Sequence, residues 1–236
     1  MNGLWLEGAS LSGFAAMAIV EPGSHAPIWS KLPLLEGPLE HEAFVERVLA
    51  RLPATTPTTF TFDSWSHGGR PTKEGFGILP IPGVDPKKIA DAVMDVGHYV
   101  GHVEHVSESR VIADDRYTPP DAVRFYQRVD IPVLGAVHHE LVLHRLGEHK
   151  GYTVLAWGIL TAETDKLSSR LGFRSDYNHG AWLAAPGVLG YALGSAPKRG
   201  DVGFLKWKAL TRGADAAAST VLKGNLRGMA AWAARR

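Results

Sequence analysis

Eleven histidines and no cysteine set the limits on what this chain can catalyse or ligate. His98, His102 and His105 recur at intervals close to a helical turn, and His138-His139-Glu140 places two imidazoles beside a carboxylate. Imidazole and carboxylate are zinc ligands and general acids or bases. Neither group completes a metal signature. Gly97 and Gly101 fall where a helix carrying the first three would stop, and consecutive strand residues point to opposite faces, which parts His138 from His139. The expectation is therefore no metal and no cofactor. One inward imidazole anchoring a ligand hydroxyl fits better, with His139 as the candidate. Ser66, His67 and Asp63 are turn neighbours rather than a triad, and no Gly-x-Ser-x-Gly elbow or phosphate-binding glycine loop is present. Without cysteine, thiolate nucleophiles and thiolate metal ligands drop out.

The elements that position these residues follow from periodicity. Residues 39–52 form an amphipathic helix with Phe44, Val45, Val48, Leu49 and Leu52 on one face. Strands are predicted at 58–66 and 75–81. A helix follows over 85–99, capped by Asp85, with Pro86 in its first turn and Ile89, Ala92, Val93 and Val96 as its buried stripe. From residue 106 the pattern is strands: 107–113, 122–133, 138–146, 152–162, 180–185, 187–193 and 202–208, separated by glycine and proline turns. A long helix over about 209–235 closes the chain. Consecutive strands with short links make an antiparallel meander. The plan is α+β, one curved sheet with helices on a single face.

Composition agrees with a globular protein, at 45% hydrophobic and 21% charged residues. The net charge of +1 gives no general case for nucleic acid, and none is expected as a partner. The apolar run 11–20 has no preceding positive charge and is too short to span a bilayer. The expectation is a cytoplasmic monomer, or a periplasmic one had a leader been removed.

The order of elements resembles the helix-grip fold of the START (steroidogenic acute regulatory protein-related lipid transfer) superfamily. Residues 85–112 resemble its helix that ends near a tyrosine and leads to a Ser-Arg-Val strand. VRFYQRVDIPVLGAVHHEL (123–141) is similar to its strand, Ile-Pro corner and return strand. NHGAWLAAPGVLGYAL (178–193) resembles its Gly-x-Trp strand, proline turn and tyrosine-bearing strand. The likeness divides the chain into an N-terminal extension with the first helix, 1–54, and a START-like domain, 55–236. His138-His139-Glu140 stands where the family often has Arg-Asp, so the role of that arginine is not carried over.

What the resemblance implies is an apolar cavity between the sheet and the C-terminal helix, holding a sterol, phospholipid or similar molecule, with transient membrane contact during transfer. The candidate wall comprises Phe125, Gln127, Val129 and His139, then Leu155 and Trp157, then Trp182, Tyr191 and Phe204. Ala218, Leu222, Asn225 and Met229 face it from the helix, whose Gly224 and Gly228 would allow close approach to the sheet or opening. Arg124, Tyr126, Arg128 and Asp130 are expected on a solvated face. The alternative is an enzyme of the same fold, such as a polyketide cyclase or hydratase, using His139, Glu140, Arg128 and Asp176.

Overall fold

The computed structural model describes residues 38–132, 135–212 and 214–236. The apolar run 11–20 and the proline-rich connector after it lie outside the described residues.

Alternation in the strands decides the architecture, because two apolar sets alternate along β6 (Tyr152–Ile159) and β7 (Phe173–Ala185). Leu155 and Trp157 point one way and Val154 and Ala156 the other, and all four are buried. A strand apolar on both faces needs cover on both. Eight strands form one curved open sheet, in which β1 (Thr61–Trp65) pairs with β2 (Glu74–Pro80) and β2 in turn with β8 (Val188–Pro197). Beyond β7 and β6 follow β5 (Gly135–His149), β4 (Ala122–Ile131) and β3 (Val106–Val111). Neighbours run antiparallel except where β6 ends. There β5 and β7 meet in a short parallel pairing, Val137 with Phe173 and His138 with Arg174.

One face receives α2 (Pro86–Met94) and α6 (Ala214–Ala233). Ile89, Ala92 and Val93 of α2 join Leu222, Leu226 and Met229 of α6 over Phe125, Leu141 and Trp182. Asp85 caps α2 as expected, accepting from the Lys87 N–H at 2.9 Å. The other face receives α1 (Pro38–Leu49), whose Phe44, Val45, Val48 and Leu49 pack on Phe76, Ile78, Val154 and Leu183. The helices therefore do not share a single face, and the first helix is part of the structure's second core.

Gly75 and Gly77 leave room for two aromatic rings beside β2: a Cβ on Gly77 would stand 3.0 Å from the Phe60 ring and one on Gly75 3.2 Å from the Phe62 ring. The glycines of α6 itself serve another contact. A Cβ on Gly228 would lie 2.2 Å from the His102 carbonyl oxygen, and Gly224 abuts Glu104. They admit the 101–105 loop, not the sheet, and Glu104 N–H donates to Asn225 Oδ1 at 2.7 Å on the same side. The expected strand at 202–208 is helical instead, as α4 (Arg199–Val202) and α5 (Phe204–Arg212). The reason is topological. Both sides of β8 are already paired, with β2 and β7, so no edge beside it is free for another strand.

Candidate functional site

The concave face carries its side chains in cross-strand rows. Tyr191 stands opposite Trp182, and Trp182 opposite Leu155. Phe125 stands opposite Leu141, Gln127 opposite His139, and Val129 opposite Val137. Gly180 leaves room for the Trp157 indole to lie across β7, since a Cβ there would fall 2.0 Å from the ring. Trp157 stacks on Tyr191 with centroids 5.5 Å apart, and Trp182 meets Tyr191 at 4.2 Å. Leu222, Asn225 and Met229 are buried on α6, while Ala218, a turn earlier, is half-buried. Tyr191 and Asn225 are hydrogen-bonded to each other, and burial raises the tyrosine pKa above its ordinary value. The sequence-predicted wall is thus brought together on one side of the sheet, from Phe125 to Trp182 and up to α6.

Where β6 ends, the wall turns polar. His139 Nδ1 lies 2.8 Å from Ser175 Oγ and its Nε2 lies 3.2 Å from Gln127 Oε1. Trp157 Nε1–H donates to Asn178 Oδ1 at 2.8 Å, and the Asn178 amide nitrogen is 3.3 Å from His139 Nε2. A neutral imidazole that donates from Nε2 to Gln127 and accepts from the Ser175 hydroxyl satisfies both ring nitrogens. Burial first, and then the neighbouring His138, push the His139 pKa down to about 3. The cluster is uncharged at neutral pH.

Ser175 and Asn178 escape a reading of the sequence alone because residues 163–175 look like turns. The register shift between Ser175 and Tyr177 breaks strict alternation. The usable signal was the two-residue step from Asn178 through Gly180 and Trp182 to Ala184, which extends the predicted strand backwards.

Phe204 does not belong to the wall. It is 56% exposed on α5, with the Arg199 guanidinium 5.3 Å from its ring. The four residues considered for catalysis do not converge. Glu140 turns to the convex face and accepts from Arg124 Nε at 3.0 Å. Arg128 pairs with Asp130 at 3.3 Å, and Asp176 is exposed. The expected solvated face of β4 holds at Asp130, which is exposed, and is corrected at Arg124, largely covered and bridging Glu140 and Asp114, and at Tyr126, which is buried. Among the described residues, no three of the histidines and carboxylates form a metal-ligand group. His98 pairs with Asp95 at 2.7 Å, His102 stacks on Trp232 at 4.5 Å, and His105 takes a left-handed turn conformation (φ 63°).

A separate cleft of about 510 Å³ opens between the 80–85 turn, the start of α2 and the last turns of α6. Leu79, Ile81, Val84, Ile89 and Ala230 line it, and none of the predicted wall residues does.

No protein-family model matches the sequence, and no curated protein matches it. Solved structures do. A STAR-related lipid transfer protein from Xanthomonas axonopodis superposes with a TM-score of 0.59 at 13% identity, over 77% of this chain and 97% of that one. Human STARD10 gives 0.61 at 11% identity, over 83% and 80%. Human StAR-related lipid transfer protein 5 gives 0.60 at 12% identity, over 82% and 96%. At such identities the likeness is one of fold: the chain has the START helix-grip fold.

Proposed function

We propose that the protein binds an apolar molecule with a neutral polar group, a sterol, an acyl lipid or similar, between the concave face and α6, and transfers it unchanged. One observation carries this reading. The inward face joins an aromatic and aliphatic wall to a buried patch of four uncharged polar side chains, Gln127, His139, Ser175 and Asn178. Apolar wall with a few convergent polar groups is the usual make-up of a small-molecule site. Acid–base chemistry asks for titratable groups poised near the working pH. His139 is held far below it, and the carboxylate beside it in sequence, Glu140, points away. The lipid transfer function named for the structural neighbours is consistent with this reading. Burial of the ligand would contribute about 25 cal/mol per Å² of apolar surface.

The test is native mass spectrometry of the purified protein, followed by uptake of a fluorescent sterol and a fluorescent acyl lipid. A bound species of lipid mass, recovered chemically unchanged after long incubation, is the expected result. Protein that is empty and takes up neither probe, or that returns an altered compound, would overturn it.

A further inference from the structure

Few large apolar side chains are exposed among the described residues, yet two of them are consecutive: Phe204 at 56% and Leu205 at 80% on α5. Lys206 and Lys208 beside them are exposed as well, while Trp207 is half-buried. Cations and aromatics are interleaved here. The Arg199 guanidinium lies 5.3 Å from the Phe204 ring and 5.4 Å from Trp207, and Lys208 Nζ lies 5.9 Å from Phe204. Residues 198–212 hold five basic side chains, of which Lys198 is paired with Asp165, and one acidic, Asp201, which is committed to Arg174 at 2.7 Å. The segment is strongly basic in a chain whose net charge is only +1.

The position of α5 adds to this. Pro197, at the end of β8, pairs with Ser175 of the polar cluster, and α4 and α5 follow directly. Lys198 N–H donates to the Arg174 carbonyl at 2.7 Å, which fixes α4 against the start of β7. Leu171, 57% exposed, stands three residues before Arg174 and so belongs to the same end of the molecule.

We propose that α5 docks the protein on an anionic lipid bilayer, with Phe204 and Leu205 in the interface and the basic side chains among the headgroups. Apolar and aromatic residues alternating with lysine, on a helix too short to be stable alone in water, form an interfacial element rather than a membrane span. The flanking cations supply attraction to a negative surface that neutral lipid lacks. This adds a partner to the carrier reading and is independent of it, because docking on a vesicle requires no cargo.

The experiment is co-sedimentation of the full chain with phosphatidylcholine vesicles, with and without phosphatidylglycerol. Wild type is expected to partition about tenfold more strongly onto the anionic vesicles, and high salt should remove most of that gain. The double variants F204S/L205S and K206E/K208E are each expected to lose about tenfold, with melting temperatures close to wild type because the four side chains are exposed. Equal binding to both vesicle types, no vesicle binding, or full binding by well-folded double variants would overturn the proposal; no vesicle binding together with capture of a soluble acidic protein would give α5 to a protein partner. Ligand content by mass spectrometry on the same samples separates the two ideas. Variants that keep cargo but lose vesicles bear on α5 alone, and empty protein that still binds vesicles bears on the carrier reading alone.

Discussion

The two faces of the sheet bury polar side chains in opposite ways. On the convex face the buried carboxylates are charged and paired with arginine, beside two buried neutral imidazoles, His138 and His144, whose Nε2 atoms have no partner. Glu74 accepts from Arg47 at 2.6 and 2.9 Å and from Trp65, with His179 Nε2 at 3.3 Å, and Arg124 is shared between Glu140 and Asp114. On the concave face Gln127, His139, Ser175 and Asn178 are neutral and bonded mainly to one another. A buried charge tolerates no loss of its partner, so the first arrangement locks α1 onto the sheet. Neutral hydrogen bonds are worth about 1 kcal/mol net and can be exchanged one for one, so the second can hand its donors and acceptors to a ligand. One face is closed by its chemistry and the other is adaptable.

The largest effect that would separate the faces is expected at Glu74. Replacing it by Gln leaves Arg47 without a counter-charge and turns an amide N–H₂ toward donors. Loss of one member of a buried pair costs about 3–5 kcal/mol. Urea unfolding should show that loss, while ligand affinity of the folded fraction stays at the wild-type value. A Glu74→Gln protein of unchanged stability would mean that the convex network does not hold α1.

Acid should affect His139 and Glu74 in different pH windows. Burial keeps His139 neutral when folded, with a pKa of about 3. The unfolded histidine titrates near 6.5. Between those values the unfolded state binds the extra proton, so His139 costs stability as pH falls below about 6.5. Burial alone would raise Glu74, but hydrogen bonds from His179, Arg47 and Trp65 outweigh it and hold the carboxyl at about 2. Its contribution is complete above its unfolded pKa near 4.5 and is lost as pH falls from there through about 2. From pH 6.5 to 4.5, one histidine accounts for about 2–3 kcal/mol. His139→Gln should reduce the slope of stability against pH in that window, which it shares with His144, held by burial at about 4, and with His138 and His179, which burial also lowers. Glu74→Gln should not. Equal slopes in wild type and His139→Gln would sink the assignment.

The sequence makes one face far more legible than the other. Period-two alternation pairs Phe125 with Gln127 on one face of β4 and Leu155 with Trp157 on one face of β6, where their bulk against Val154 and Ala156 picks the inward side, and the helical stripes of α1 and α2 emerge with their buried residues correct. Long-range coincidences are not encoded locally. His139 reaches Ser175 only because β6 is short enough for β5 and β7 to touch past its end, and because β7 slips register at that point. Nothing within the run 202–208 says that both sides of β8, the strand just before it, are already taken. Phe204 was misplaced for that reason, and a hydrophobic residue meant for a wall turned up on the outside.

Between the locked and adaptable faces lies a steric constraint on the aromatic wall, and Gly180→Ala tests it. The added Cβ would meet the Trp157 ring at 2.0 Å and the Ala192 carbonyl oxygen at 2.5 Å. Overpacking of this kind costs about 1–3 kcal/mol. Because Trp157 also donates to Asn178, its displacement should disturb the polar patch as well. Stability should fall by about 2 kcal/mol and ligand affinity with it. A variant with normal affinity would show that the Trp157 indole is not part of the binding surface.

The smallest change in stability, and the most informative about function, is expected at Gln127. Leucine in its place removes the acceptor for His139 Nε2–H while keeping roughly the same volume. With Gln127 gone the ring can carry its proton on Nδ1, donating to Ser175 Oγ and accepting from the Asn178 amide at Nε2, so the unliganded protein should lose only about 1–2 kcal/mol. A ligand whose hydroxyl or carbonyl joins the cluster would lose a partner, and its affinity should fall about tenfold, equivalent to about 1.4 kcal/mol. A ligand bound only by its apolar body would bind as well or better, since leucine extends the wall. Comparing a sterol with its methyl ether in wild type and Gln127→Leu separates these cases. Loss confined to the free sterol places its hydroxyl at the His139 cluster, and undiminished binding of both shows that the concave face recognises shape alone.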